Sequence, residues 1–274
     1  MKNNTKLGAV LAVIGILAGI LCLYFVADTY NAVIHTHFNA GDWEESNTVR
    51  IVYAVLGWLG TAAGALSAAV LWGFLRKQDW AWFWGAVAAT VLLLAGFFPM
   101  IPAADSGLPV PTMWVFLLGA VMWFGMLLVG GVDKKVIGLT FVAGLAYVLT
   151  FIDGVAPISK FQSTFQTAEN FVQNPDTFWN GMYVILQQVS WWGATAWAFF
   201  IFATLKKKSW AIPVGIFAAT MSMLAGYPLG LHNALVEVHR FSMFLPAPIM
   251  STGLLIYLLL PSTQKMLETW NSKV

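Results

Sequence analysis

Long apolar runs separated by short polar segments recur along the whole chain. Each run is about 20 residues long, which is the length that an α-helix needs to cross a bilayer. Backbone groups must be hydrogen-bonded within lipid, and closed barrels need short alternating strands, so the runs are predicted to be helices. The predicted spans lie at roughly 7–27, 51–75, 80–99, 111–131, 136–152, 181–205, 210–228 and 241–260. The sequence therefore predicts an all-α integral membrane protein with about eight transmembrane helices.

The polar segments between these runs separate by charge. The side of the N-terminus carries eleven basic residues, and the opposite side carries the other three of the fourteen, Arg50, Lys160 and Arg240. The eleven are Lys2, Lys6, Arg76, Lys77, Lys134, Lys135, Lys206, Lys207, Lys208, Lys265 and Lys273. Basic residues concentrate in cytoplasmic loops. The asymmetry thus predicts a multi-pass protein of the cell membrane with both termini in the cytoplasm.

The two halves of the chain resemble each other. Placing Trp80–Gly96 over Trp210–Gly226, an offset of 130, gives identity at nine of seventeen positions. A unit of four helices has an even number of crossings, so both copies would have the same orientation in the membrane. The prediction is two tandem parallel four-helix repeats, with residues 1–132 as the first and residues 133–274 as the second.

Small residues recur at helical spacing within this matching segment. Gly85, Ala88 and Ala89 correspond to Gly215, Ala218 and Ala219, at positions i, i+3 and i+4. Such stripes allow helix backbones to approach closely in lipid, so both are predicted to be buried between helices.

The two predicted outer segments, 28–50 and 153–180, are each longer than 20 residues. Apolar residues recur in them at helical spacing, which favours short amphipathic helices on the outer leaflet. Ordered loops with aromatic anchors are the alternative. Asp28 and Asp153 come at the outer ends of the first and fifth spans, where they are interpreted as marking the membrane boundary.

Composition and motifs narrow the range of functions. The chain is 59% hydrophobic and 9% charged, whereas soluble domains are about 25% charged. The only cysteine, Cys22, excludes an intramolecular disulfide. No charged residue or histidine falls near the middle of a predicted span, which disfavours ion-coupled transport. Nothing indicates nucleic-acid binding, and the predicted partners are the lipid bilayer with an apolar small molecule or another membrane protein.

Candidate chemistry rests on the histidines, because all four fall on the predicted outer side. His35 and His37 lie in the first outer segment, and His232 and His239 lie in the last, with Glu237 beside them. Imidazole is the commonest metal ligand and also binds haem iron. These five residues are therefore predicted as a metal site, with haem or a transition metal as the cofactor. Solvated histidines at the interface are the alternative.

The four-plus-four outline and the run Glu237-Val238-His239-Arg240 at the outer start of the last span resemble heme A synthase. The resemblance implies haem ligation by histidines near the outer ends of helices. The chain departs from that family's paired histidines in both halves, since Pro109 occupies the position that corresponds to His239.

Two functions are consistent with these features. The first is non-enzymatic: a carrier, a hydrophobic-ligand binding protein or an accessory subunit of a membrane assembly. The alternative is a membrane redox or haem/metal-handling protein that uses the outer histidines. Whether the protein is an enzyme stays open at this stage.

Overall fold

The computed structural model describes residues 4–41, 43–155 and 178–272, and within them it contains helices and no strand. One π-helical turn, Asn233–Glu237, follows the eighth helix. The helices are α1 (Thr5–Asn39), α2 (Trp43–Leu75), α3 (Ala81–Phe97), α4 (Met100–Asp105), α5 (Met113–Val129), α6 (Lys134–Val155), α7 (Phe178–Leu205), α8 (Ala211–His232), α9 (Pro246–Leu259) and α10 (Pro261–Asn271).

The chain divides into two compact units, Met1–Val132 and Asp133–Val274. Helices α1 to α5 belong to the first unit and helices α6 to α10 to the second. The division shows that each part of the chain is compact by itself. The four-helix repeat that the sequence predicts in each part stays a prediction.

In the first unit, α1 and α2 form a close antiparallel pair. A Cβ atom added to Gly19 would lie 2.5 Å from the Cα atom of Gly64, so the two backbones touch at this point. Farther along, the Ser46 hydroxyl donates to the carbonyl oxygen of Ile34 at 3.3 Å. Small residues at a helix crossing permit this approach in lipid.

The helix α1 continues well beyond the predicted end of the first span at residue 27. It runs unbroken to Asn39, so the separate outer-leaflet helix expected in segment 28–50 does not form. The helical spacing itself is correct, since Val33, Ile34 and His37 are buried along one face. No proline interrupts residues 28–39, and α2 continues alongside them. The second outer segment, 153–180, lies largely outside the described residues.

In the second unit, α6, α7, α8 and α9 pack as neighbours, and α9 is followed by a sharp bend into α10. The two helices differ in direction by 74°, with Leu260 in an extended conformation and Pro261 opening α10. Proline is favoured in the first turn of a helix because its missing N–H has no partner there anyway. The same preference explains why α9 begins at Pro246, later than the predicted start at residue 241.

Five described helices are long and apolar enough to cross a membrane, or six if α9 and α10 form one bent span. The five are Thr5–Asn39, Ser46–Leu75, Ala81–Asp105, Lys134–Val155 and Ala211–Val236. The apolar α5 is shorter, with 17 residues. These helices suggest a membrane protein and are compatible with a multi-pass topology.

The small-residue stripes in α3 and α8 are buried, as the sequence predicts. The members are Gly85, Ala88 and Ala89 in α3 and Gly215, Ala218 and Ala219 in α8. A Cβ atom added to Gly215 would lie 2.7 Å from Cδ1 of Leu258 and 2.8 Å from Cδ2 of Phe200. The stripe in α8 therefore admits side chains of the neighbouring helices α7 and α9.

Candidate functional site

The first unit separates its two histidines. His37 lies in the last turn of α1, where it is 5% exposed, and its Nε2 atom is 3.3 Å from the Ser106 hydroxyl. His35 is exposed. Successive helical residues are rotated by about 100°, so positions two apart point in nearly opposite directions. A single ligand is therefore not held by both rings.

The second unit places His232, the last residue of α8, against two aromatic side chains of α7. Its ring stacks on Trp179 with a centroid distance of 3.8 Å and an interplanar angle of 30°. The Nδ1 atom is 3.0 Å from the hydroxyl of Tyr183, which is 5% exposed. Trp179 and Tyr183 are four residues apart on α7, so they lie on one face of that helix. The stacking and the hydrogen bond together fix the orientation of the imidazole.

Beyond His232 the chain leaves the α-helix, and His239 lies past this break. The π-helical turn ends at Glu237, and His239 is exposed with a positive φ of 50°. Buried Asn233 holds this turn, because its Oδ1 atom accepts a hydrogen bond of 2.7 Å from the Ser242 hydroxyl. His232 and His239 consequently do not lie two turns apart on one helix. π-Helical turns within or after α-helices often occur at functional sites.

Within residues 4–41, 43–155 and 178–272, no group of three or more His, Cys, Asp or Glu side chains is placed to hold a metal ion. The side chain of Glu237 is outside the described part of the structure. The set His35, His37, His232, His239 and Glu237 thus stays a prediction.

A cluster of polar side chains lies inside the second unit, and the sequence did not reveal it. The Ser222 hydroxyl is 2.8 Å from Thr150 Oγ1 and accepts a hydrogen bond of 2.9 Å from Ser251. Asp153, one helical turn after Thr150, is 2% exposed, whereas the sequence suggested a boundary residue. The buried Ser190 hydroxyl has no hydrogen-bond partner within the described residues. The hydrogen bonds among Thr150, Ser222 and Ser251 show that α6, α8 and α9 meet around hydroxyl groups.

An apolar groove lies between α6 and α9 in the second unit. Its volume is about 600 Å³, which lies in the usual range for pockets that bind small molecules. The lining residues include Gly138, Leu139, Val142, Gly253, Leu254 and Tyr257. A Cβ atom added to Gly138 or Gly253 would have no atom within 4 Å, so these glycines leave open space. We call this feature the α6–α9 groove.

No family model, curated protein sequence or solved structure matches the chain. The resemblance to heme A synthase therefore rests on the predicted topology and the run 237–240 alone.

Proposed function

We propose that this chain is a non-enzymatic membrane protein that binds a hydrophobic ligand in the α6–α9 groove. The single observation that carries the proposal is the pair of glycines in the groove lining. Gly138 and Gly253 leave space that larger side chains would fill. A carrier and an accessory subunit of a membrane assembly both use such a binding surface.

The shape of the groove follows from helical spacing. Gly138 and Val142 are four residues apart on α6, and Gly253 and Tyr257 are four residues apart on α9, so each pair lies along one face. Each helix thus offers a gap at its glycine followed by an apolar or aromatic wall. An extended hydrocarbon chain lying between the helices fits this arrangement.

A photoreactive fatty-acyl probe with a diazirine near the end of its chain tests the proposal. We expect the purified protein to be labelled in peptides that contain residues 138–142 and 250–257. Gly138→Leu combined with Gly253→Leu should reduce this labelling strongly, because the new side chains occupy the groove. Gly144→Leu is the matched control, since this α6 glycine also has open space but does not line the groove. Equal labelling of all lipid-exposed helices would contradict the proposal.

We also propose that the chain crosses the membrane eight times as two tandem parallel repeats. Three pairs of helix boundaries are separated by 130 residues: the ends of α2 and α7 at Leu75 and Leu205, the starts of α3 and α8 at Ala81 and Ala211, and the ends of α5 and α9 at Val129 and Leu259. The turns before α3 and α8 each contain a lysine with positive φ, Lys77 at 56° and Lys207 at 53°.

An experimental structure of the protein tests the repeat. We expect residues 50–130 and 180–260 to superpose as similar helical bundles, with the first helix of each half fitting worst. If residues 80–99 and 210–228 occupied non-equivalent positions, the sequence match would be a coincidence of composition.

The alternative function, a haem- or metal-handling protein, is favoured by one specific observation. In each unit a histidine near the end of a helix has a ring nitrogen within hydrogen-bonding distance of a hydroxyl group, from Ser106 for His37 and from Tyr183 for His232. A hydrogen bond to the second ring nitrogen commonly orients histidines that bind metals. An absorption spectrum of the purified protein, together with metal analysis, tests this function. A Soret band lost in His232→Ala would support it, and a spectrum of aromatic absorption alone with no bound metal would contradict it.

A further inference from the structure

A second cavity of the second unit, of about 330 Å³, lies where the start of α6 meets α10. Two lysines line it, Lys135 of α6 and Lys265 of α10, together with the hydroxyl-bearing residues Ser262 and Thr269. The indole of Trp270 forms part of the wall. We call this feature the lysine cavity.

Lys135 lines both the lysine cavity and the α6–α9 groove. The polar lysine cavity and the apolar α6–α9 groove are therefore adjacent. A ligand that fills both needs a charged or polar head and a hydrocarbon chain. An amphiphile has this construction, whereas an apolar molecule would leave the lysine cavity empty.

From this juxtaposition we propose that the second unit binds an anionic glycerophospholipid, with its phosphate between Lys135 and Lys265 and an acyl chain in the α6–α9 groove. The inference rests on the proposed binding of a hydrophobic ligand and adds the chemical class of that ligand. Lysine ammonium groups bind phosphate as point charges, and the exposed Ser262 hydroxyl is a hydrogen-bond donor for its oxygens. The Thr269 hydroxyl already donates to the Lys265 carbonyl at 2.8 Å.

The charge balance of the lysine cavity favours an anion. Lys135 and Lys265 contribute two positive charges, and Asp133 contributes the one carboxylate in the lining. One oxygen of that carboxylate accepts a hydrogen bond of 2.9 Å from the backbone N–H of Lys135, so Asp133 also caps the start of α6. A net positive charge beside an apolar groove complements a lipid whose headgroup is negatively charged.

The position of Lys265 depends on how α10 is attached. After the 74° bend, Thr263, Leu267 and Trp270 are buried, while Lys265 and Thr269 are exposed along the cavity. The α10 helix is thus amphipathic, which is typical of helices that lie in the membrane interface. Lys134, Lys206, Lys207 and Lys208 belong to the same predicted cytoplasmic side, which faces the more anionic leaflet in cells.

Lipid binding to the full-length protein tests the proposal. Purified protein in detergent would be titrated with dioleoyl phosphatidylglycerol and, separately, with dioleoyl phosphatidylcholine, and bound lipid counted by native mass spectrometry. Both lipids have the same chains, so a difference in affinity reports the headgroup. We expect phosphatidylglycerol to bind more tightly, and Lys135→Gln and Lys265→Gln each to weaken its binding about fivefold. Phosphatidylcholine carries the same phosphate together with a choline cation that neutralises it, so its binding should weaken less than that of phosphatidylglycerol in both variants.

Lys134→Gln is the matched control, because it removes the same charge from the adjacent exposed residue, which lines neither cavity. Equal affinity of the wild-type protein for the two lipids would overturn the proposal. So would an equal loss of phosphatidylglycerol binding in Lys134→Gln, since that would indicate diffuse surface charge. Displacement of the lipid by glycerol 3-phosphate at equal concentration would identify a water-soluble ligand instead.

Failure of this inference can be separated from failure of the proposed function. If Gly138→Leu with Gly253→Leu abolishes binding of both lipids while the wild-type protein shows no headgroup preference, the groove binds hydrocarbon chains and only the anionic lipid is wrong. If the same double variant binds both lipids as well as the wild-type protein does, the groove is not the binding site and both proposals fail. Size-exclusion chromatography of each variant shows whether it is folded.

Discussion

The indole N–H of Trp270 donates a hydrogen bond of 2.8 Å to the carbonyl oxygen of Thr204. This bond connects α10 to the last turn of α7, across 66 residues of sequence. The ammonium group of Lys207 lies 4.7 Å from the centroid of the same indole ring, within the range of a cation–π interaction. Trp270 thus attaches α10 to the end of the bundle and keeps the lysine cavity closed on one side.

Trp270→Phe should therefore destabilise the second unit. The change removes one of two hydrogen bonds to the Thr204 carbonyl, which also accepts from the backbone N–H of Lys207 at 3.2 Å. We expect a loss of about 0.5–1.5 kcal/mol, the usual net value of one hydrogen bond. Thermal unfolding in detergent measures the effect. Trp192→Phe is the control because Trp192 is 61% exposed, so little change is expected there. An unchanged melting temperature in Trp270→Phe would show that α10 is held by other contacts.

Two buried glycines should differ in their tolerance of alanine. At Gly19 the added Cβ meets the backbone of Gly64, whereas at Gly215 it meets side-chain atoms such as those of Leu258. Backbone atoms cannot move aside without shifting a helix. Gly19→Ala should thus cost more than Gly215→Ala, within the usual range of about 1–3 kcal/mol for overpacking.

Gly144→Ala is the reference for this comparison, because an added Cβ has no atom within 4 Å there. It should be neutral or slightly stabilising, since alanine is the better helix former by about 0.5–1 kcal/mol. Thermal unfolding of the three variants in one detergent gives the ranking. Equal stability of Gly19→Ala and Gly144→Ala would mean that α1 and α2 are not in backbone contact.

The bond between Tyr183 and His232 should contribute to stability at the ends of α7 and α8. Tyr183→Phe keeps the ring in its buried position and removes the hydroxyl that lies 3.0 Å from Nδ1 of His232. We expect a loss of about 0.5–1.5 kcal/mol, the usual net value of one hydrogen bond. Tyr24→Phe, at a position that is 63% exposed, should change the unfolding temperature little. If both variants unfold alike, the bond contributes nothing measurable.

The predicted orientation can be tested with single cysteines, because the native Cys22 is fully buried. In a Cys22→Ala background, Arg240→Cys should react with a membrane-impermeant maleimide added to intact cells. Lys208→Cys should react only after the membrane is permeabilised. Both positions are exposed in the structure, so the side of the membrane on which each residue lies decides whether the reagent reaches it. Labelling of Lys208→Cys in intact cells would reverse the predicted topology.

The apolar pattern predicted the helical segments well. It failed at helix ends whose position depends on tertiary contacts. The start of α3 at Ala81 agrees with the predicted span at 80–99 because a short basic turn precedes a continuous apolar run. The predicted end of the first span, residue 27, lies about twelve residues before the observed end of α1 at Asn39. Hydropathy falls after residue 27, and only packing against α2 shows that the helix continues.

The contacts of the candidate site residues could be predicted less well from the sequence. The histidines were predicted to bind a metal because imidazole is a common ligand. In the structure His37 and His232 have separate local partners, Ser106 and Tyr183. In the sequence, Lys135 and Lys265 indicate topology only. They are 130 positions apart, and they come to one cavity through the bend at Pro261, which no pattern of apolar residues encodes.

The helix α1 has 35 residues, which corresponds to a rod about 52 Å long. The hydrocarbon core of a bilayer is about 30 Å thick, so α1 is longer than one perpendicular crossing requires. Because α2 runs antiparallel to it and the Ser46 hydroxyl bonds to the Ile34 carbonyl, the additional length of α1 is paired with α2. The two helices therefore extend together past the length of one crossing, joined by a hydrogen bond near the end of α1 and the start of α2.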